Sequence, residues 1–449
     1  MSAVADDVVT PPRPPASPPD ARARFSWALF DWAQQPYFTL VGAFIFKPFF
    51  ASTFVGDPVR GQALVGYAGG GAALLVAFLS PAIGAAVDRG GRSRAWLAGL
   101  SVPFVLACAG LWFADPATPG RLPLIVACLV AAAVCAELTT AVNNAMLPGV
   151  ARAGELGRLS GSGVALGYLG GLLAVGAYLA GFTFAKTPWL GLDAAAHETD
   201  RIVGPFVAVW YLAFLAPLLL WGRDGAPGGG AVVSWSFVRA ALARATPRRR
   251  FLLGRTLVAD GLTAAAVFGG VLAAGLFDWG APELGAYGLG LVIVAGASAW
   301  GAGRLEGRLS SRALVLGSIA LLAVAVAGVS GLRADAVFGL PVAPPTPHDG
   351  FMVAPAERIF MALGLLIGVA TGPLQAAMRA WMAELIPAGE EGRWFGLFAF
   401  SNKATAFAAP LTIAALTQVV GAQSVAMPVI VLFLAAGWVV LQGVPAAAR

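Results

Sequence analysis

Long apolar runs alternate with short polar breaks along almost the whole chain. A helix needs about 20 mostly apolar residues to cross ~30 Å of hydrocarbon at 1.5 Å per residue. Twelve stretches meet that length: 26–50, 61–87, 95–114, 122–147, 160–184, 203–222, 251–276, 283–302, 313–332, 356–380, 394–420 and 424–444, here spans 1 to 12 in order. Strands of a membrane barrel would run about 10 residues with strict alternation, which these stretches do not show. The pattern predicts an all-α integral membrane protein of twelve transmembrane helices. Residues 1–24 are rich in proline and have no apolar core, so a disordered cytoplasmic tail is expected there rather than a signal peptide.

The longest break on the side of the chain's start, 223–250, divides the spans six and six. It opens with GAPGGG and continues as SWSFVRAALARA, where Trp235, Val238 and Leu242 share a helical face, predicting a helix at the membrane interface. The expected organisation is a six-helix bundle over 25–222, a cytoplasmic linker over 223–250 and a second six-helix bundle over 251–449. The halves echo each other. LPGVARAGELGRLSG (147–161) and IPAGEEGRWFG (386–396) each place a Pro, an acidic residue and Gly-Arg-x-x-Gly ahead of the next span, and Asp31 in span 1 has a counterpart in Asp260 of span 7. Two pseudo-symmetric halves with a path between them are a transporter architecture. The break at 333–355 contains PVAPPTP, too proline-rich for a regular helix.

Composition agrees with a bilayer. The 449 residues are 58% hydrophobic and 12% charged, against about 25% charged in ordinary globular proteins. The net charge of +6 does not imply a nucleic-acid partner, because the basic residues sit in loops. Of the 29 Lys and Arg, 20 fall on the side of the chain's start and 6 on the other, which predicts cytoplasmic N- and C-termini in a plasma membrane, expected to be a bacterial inner membrane. Cys108, Cys128 and Cys135 lie inside apolar runs and read as small buried hydrophobes. His197 and His348 sit in separate loops, no metal-ligand spacing occurs, and no Walker loop is present, so no metal, cofactor or ATP is expected.

A charge at the bilayer centre costs at least ~2.5–3.5 kcal/mol, so its placement is informative. Spans 3, 6, 9 and 12 carry none in their interiors. Span 1 carries Asp31 and Lys47, span 4 Glu137 with Asn143 and Asn144, span 7 Arg255 and Asp260, span 10 Gln375 and Arg379, and span 11 Asn402 and Lys403. This predicts that spans 1, 4, 7, 10 and 11 line a wet path. Helix rise puts Asp260 and Lys403 near the midplane, either as substrate or proton sites or neutralising each other across the bundle. Asp31 and Glu137 are alternative proton carriers or helix-end anchors. Arg255 reads as a snorkelling residue or a partner of Asp31 or Asp260, and Lys47 as snorkelling to the outer interface. Trp27, Trp32, Tyr37 and Trp381 are expected as interfacial anchors, or alternatively as aromatic walls of the path.

The sharpest local motif is Gly84-Ala-Ala-Val-Asp88-Arg89-Gly-Gly91-Arg92-Ser-Arg94, between spans 2 and 3. Gly84 permits close helix approach, Gly91 a sharp turn, and a carboxylate among arginines predicts a charge latch. The string resembles the loop signature of the major facilitator superfamily, GxxxD(R/K)xGR(R/K), departing only where Ser93 precedes Arg94. Its second-half echo, Gly301 to Arg308, lacks the Asp. SWALFDWAQQPYFTLVGAFIFKPFF, FLLGRTLVADGLTAAAVFGG and the 372–410 stretch are similar to the Atg22/UMF1-like branch of that superfamily, related to vacuolar amino-acid effluxers. Gln34-Gln35 stands where that branch is expected to carry Asn-Ser, and Asn402 where Gly is expected.

The resemblance implies alternating access. The resulting expectation is a monomeric secondary transporter for a small polar solute, with amino acids as the implied class, coupled to H+ or Na+. A lipid flippase of the same fold is the alternative. A membrane enzyme or receptor is disfavoured, since the chain has neither a dense catalytic cluster nor a soluble output domain.

Overall fold

A computed structural model describes residues 20–152, 154–225, 235–243, 246–305, 308–344, 351–405, 408–420 and 426–446. Span 1 is one long helical path, Ala21–Phe54. It comprises α1 (Ala21–Pro36), a π-helical stretch (Tyr37–Phe44), α2 (Phe46–Phe49) and a second π-helical stretch (Phe50–Phe54). The first π stretch begins directly after Pro36, which has no N–H for the α ladder; widened turns of this kind concentrate at functional sites. Spans 2 to 5 are α3 (Pro58–Gly90), α4 (Ser93–Gly110), α5 (Leu122–Val150) and α6 (Leu156–Tyr178). A single turn, α7 (Glu198–Arg201), leads into span 6, α8 (Val203–Trp221).

The linker carries α9 (Trp235–Ala243). Spans 7 to 10 are α10 (Pro247–Phe277), α11 (Ala281–Leu305), α12 (Ser311–Ser330) and α13 (Pro355–Leu385). Span 11 is interrupted: α14 (Glu391–Lys403) ends in bends at 404–405, and α15 (Ala408–Val420) follows. Span 12 is α16 (Ala426–Gln442). Among the described residues ten helices are long and apolar enough to cross a membrane, with Met427–Gln442 a shorter apolar helix. The break in span 11 is why it is not among the ten.

Local chemistry explains the ends. Asp57 accepts the Val59 and Arg60 N–H groups with Pro58 at the first helical position, and Gly91 ends α3 at a φ of 58°. Thr246 and Ser310 cap α10 and α12 in the same way. One expectation fails at the start. Residues 21–24 are helix, not tail, because Ala23 is buried and Arg24 forms a 2.6 Å ion pair with Glu155; residues 1–19 lie outside the described residues. The 333–355 break holds no helix over its described part before Pro355. Instead β1 (Leu332–Arg333), β2 (Ala336–Val337) and β3 (Leu340–Pro341) form a small antiparallel sheet in that order.

Within the first six spans α1 packs on α6 and α8, and α5 on α3 and α4; within the last six α10 packs on α16, and α13 on α11 and α12. The two sets meet along α3 with α14, α5 with α14, α6 with α11 and α6 with α13. All three cysteines are free and buried among apolar side chains, as their apolar setting predicted. The molecule is an all-α, multi-pass membrane protein.

Candidate functional site

Two seams join the halves at the end of the molecule where α1 begins. In the α3/α14 seam, a methyl at Gly84 would overlap the Gly392 carbonyl, so the helices touch backbone to backbone. Asp88 accepts the N–H groups of Gly392 (2.5 Å) and Arg393 (2.8 Å), closing the start of α14 as an anion at a helix N-terminus does. This corrects the expected latch. Arg89 and Arg92 are exposed, and Arg94 turns away to Asp224 at the end of α8 (3.0 Å). Backbone amides occupy the place beside Asp88 because the glycine contact brings the α14 terminus within reach.

In the α6/α11 seam, Gly161 faces the Ala299 carbonyl at 2.7 Å from the position its Cβ would take, and Gly303 lies against Gly157 and Arg158. Here the described part of the echo motif contributes small residues and, among the described residues, no carboxylate. Glu306 and Gly307 lie outside the described residues. The linker helix α9 docks beside the first seam: Phe237 packs edge-on to Trp394 (5.7 Å), with Arg393 over its ring at 4.8 Å. Val238 is buried. Trp235 and Leu242 carry no described side chain.

Among the described residues, two ion pairs cross between the halves deeper in, Asp31–Arg379 and Glu137–Lys403. Arg379 of α13 reaches Asp31 of α1 at 2.9 Å, Asn144 Oδ1 of α5 at 3.2 Å, and both the Oγ (2.8 Å) and carbonyl (2.8 Å) of Ser160 in α6. Trp27 lies 4.8 Å beneath its guanidinium and donates its own N–H to the Asn143 carbonyl. Lys403 of α14 meets Glu137 of α5 at 2.7 Å. Each pair draws its carboxylate from the first half and its cation from the second. Charges at this depth survive by pairing.

A cavity of about 450 Å³ lies between the halves. Its wall comes from α1, α5, α6, α10, α13 and α14, and none of it from spans 3, 6, 9 or 12. Lys47 does not line it; of the other ten intramembrane residues singled out from sequence six do: Asp31, Asn144, Arg255, Gln375, Arg379 and Asn402. Gln34 and Gln35, with Asn402 the family departures, line it as well. Arg255 donates from Nη1 to the Phe398 carbonyl (2.8 Å) and Ser401 Oγ (2.9 Å), and stacks 3.4 Å over the Phe398 ring. Gln375 donates to the Tyr168 hydroxyl at 3.0 Å, joining α13 to α6.

Four of the ten are off the wall. Glu137 and Lys403 are consumed by their pair, and Asn143 is fully buried with its side-chain amide unpartnered. Asp260 is 2% exposed and absent from the lining. The mutual neutralisation of Asp260 and Lys403 is thus not what forms, and Arg255 pairs with neither Asp31 nor Asp260. Helical geometry gives the reason. Arg255, Val258, Ala259, Leu262 and Thr263 share the α10 face that lines the cavity, while Asp260 lies five residues, about 140°, round from Arg255. The aromatic expectations also change: Trp27 and Trp381 are fully buried and Tyr37 nearly so, Trp32 stacks on Trp210, and the cavity's aromatics are Phe38, Tyr168 and Phe398.

Ser160 and the glycines of α6 were not anticipated. A Cβ at Gly163 would stand 2.8 Å from Asp31 Oδ2 and 3.0 Å from Arg379 Nη2, so the bare backbone there makes room for the ion pair. The signal was legible as small residues at helical spacing, Ser160, Gly163 and Gly167. No group of three or more His, Cys, Asp or Glu that could hold a metal occurs among the described residues.

Comparison with known proteins gives a consistent assignment. Residues 51–448 match the family described as "Vacuole effluxer Atg22 like". Autophagy-related protein 22 of Cryptococcus neoformans is 26% identical over 285 residues, covering 59% of this chain and 46% of that protein. The chain thus spans about half the length of the fungal relatives it matches. An uncharacterised MFS-type transporter of Bacillus subtilis, YxiO, is 22% identical over 438 residues, 94% of each chain. Among solved structures, the MFS transporter FucP in its outward conformation superposes with a TM-score of 0.69 at 13% identity, covering 94% of this chain and 97% of that one.

Proposed function

The chain belongs to the Atg22-like vacuole effluxer family of membrane transporters with the major facilitator fold, and we propose that it is a secondary active carrier moving a small polar solute by alternating access. The observation that carries this reading is the cavity between the halves with an inter-half ion pair, Asp31–Arg379, in its wall. A solute binding there would compete for the groups that hold the halves together, which is how binding free energy becomes movement. The moving bodies are the bundles over 25–222 and 251–449. Every hydrogen bond and ion pair between them among the described residues lies between the Asp88 end and the level of Tyr168, Glu137 and Lys403. With the termini cytoplasmic, as the arginine bias argues, this is a state sealed inside and ready to receive solute from outside.

Asp31 and Glu137 supply the coupling: each releases its cation when protonated, so H+ rather than Na+ is the favoured ion. Amino acids are the first solute class to test, and a monomer in a bacterial plasma membrane is the setting assumed. The wall holds three charges, Asp31, Arg255 and Arg379, and five amides, Gln34, Gln35, Asn144, Gln375 and Asn402, which does not favour the lipid-moving alternative. Counterflow in proteoliposomes tests the reading. Uptake of a polar solute driven by an inward proton gradient, and lost in Asp31→Asn, supports it. Lipid scrambling without uptake of any soluble class overturns it.

A further inference from the structure

Resting on that carrier reading, we propose that the solute is a small organic anion whose carboxylate docks on Arg255. The two guanidiniums of the cavity differ in what they have left to give. Arg379 spends Nε, Nη1 and Nη2 on Asp31, Asn144 and Ser160. Arg255 uses Nη1 alone, for the Phe398 carbonyl and Ser401 Oγ. Its Nε and Nη2 have no partner among the described residues, and they form the edge of the guanidinium that matches the two oxygens of a carboxylate.

Charge balance points the same way. Asp31 is engaged by Arg379 at 2.9 Å and Glu137 by Lys403 at 2.7 Å, and Asp260 is off the wall. Among the described residues no carboxylate comes within ion-pair distance of Arg255; Glu137, whose charge reaches it, is already paired with Lys403. The cavity wall, with Asp31 against Arg255 and Arg379, thus carries one positive charge in excess. At membrane depth such a charge is expensive unless an anion accompanies it. No carboxylate on the cavity wall is left free to receive an ammonium group, so a net anion fits better than a cation or a zwitterion.

A second feature sets the rest of the ligand. Gln34 lines the same cavity, is 3% exposed, and has both side-chain polar atoms unpartnered. A buried amide left with a free donor and acceptor favours a solute that brings both, such as a hydroxy- or keto-carboxylate. The cavity, about 450 Å³, sits toward the lower end of the ~300–1,000 Å³ typical of small-molecule sites, which bounds the solute to a compact molecule.

The test is thermal stabilisation of the purified full chain in detergent by pyruvate, malate, inorganic phosphate, alanine and choline, followed by counterflow with whichever binds. Malate or pyruvate should raise Tm in the wild type. Arg255→Gln should weaken that binding by about tenfold to a hundredfold, the range for losing a charge-assisted pair. Should Arg255→Gln not fold, Arg255→Lys keeps the charge and loses the planar edge, and weakened carboxylate binding is expected there too. Stabilisation by phosphate alone or choline alone overturns the carboxylate assignment, as does carboxylate binding unchanged in the Arg255 variants, and stabilisation by alanine alone overturns the assignment of a net anion. Transport of a neutral or cationic solute with Arg255→Gln active would refute the anion and leave the carrier standing. Absence of transport for every solute would refute the carrier itself.

Discussion

The two seams that close one end of this molecule are built from the same glycine-on-backbone contact and fastened differently. The seam of α14 against α3 and α5 is fastened by Asp88 of α3 on two backbone N–H groups and, deeper, by Glu137 of α5 with Lys403; neither fastening lines the cavity. The α6 seam is fastened by Arg379, which reaches Ser160 of α6 and Asp31 of α1 and stands in the cavity wall. Pseudo-symmetry of sequence thus yields asymmetry of control. A solute can reach the pin of the second seam directly and that of the first only through movement of α14.

The contrast can be broken most severely at Arg379. Arg379→Ala leaves the half-buried Asp31 without its cation and should cost about 3–5 kcal/mol, read as a lowered melting temperature and lost transport. Asp31→Asn combined with Arg379→Gln should recover stability without recovering transport; full recovery of both would make the pair mere scaffolding. At the first seam, Lys403→Met alone should cost a similar amount, whereas Glu137→Gln with Lys403→Met should return most of it, since both charges then leave together. Solute affinity in that double variant should stay close to wild type, because neither side chain touches the cavity. A large loss of affinity there would erase the distinction between the seams.

Asp88→Asn comes next. It removes a charged acceptor from two N–H groups and should weaken the sealed state by about 1.5–3 kcal/mol, seen as faster labelling of cysteines placed along α14 near Gly396. Alanine at Arg304, in the echo motif at the end of α11, should leave that labelling rate within about twofold. Smallest of all, Arg94→Ala removes a partly exposed pair with Asp224 and should change stability by only about 0.2–1 kcal/mol. An effect as large as that of Asp88→Asn would restore arginine to the centre of the latch.

How far this could be read from the chain depends on what bilayers enforce. Hydrocarbon penalises each stray charge or amide, so the confinement of Asp31, Asn144, Arg255, Arg379 and Asn402 to spans 1, 4, 7, 10 and 11 marks five of the six helices that line the cavity. The sixth, α6, which lines it with Val164, Gly167 and Tyr168, carries no such residue in its interior and gives no such signal. Span lengths follow from the same constraint. Partner choice does not. Whether Lys403 meets Asp260 or Glu137 depends on the rotation of α14 against α5 and α10, and no local pattern encodes that angle. The same holds for Asp88, whose amide partners lie some 300 residues further along the chain. Ser160 went unnoticed because a serine among glycines reads as spacing for close packing, and only the assembled bundle makes it an acceptor for a guanidinium.

The interruption of span 11 has a bearing on hydration. Where α14 ends at Lys403 and bends follow at 404–405, carbonyls step out of the helical ladder at a depth where lipid offers them nothing. Ser401 recovers one partner, the Thr256 hydroxyl at 3.1 Å. The Thr405 carbonyl accepts the Ala408 N–H at 2.7 Å, and a helical ladder broken at this depth favours water over lipid beside it, so water should penetrate to this notch even while both seams are shut. A wetted notch beside Lys403 would give protons a branch line to the Glu137 pair that bypasses the solute chamber, leaving the cargo and its driving ion to arrive by separate doors.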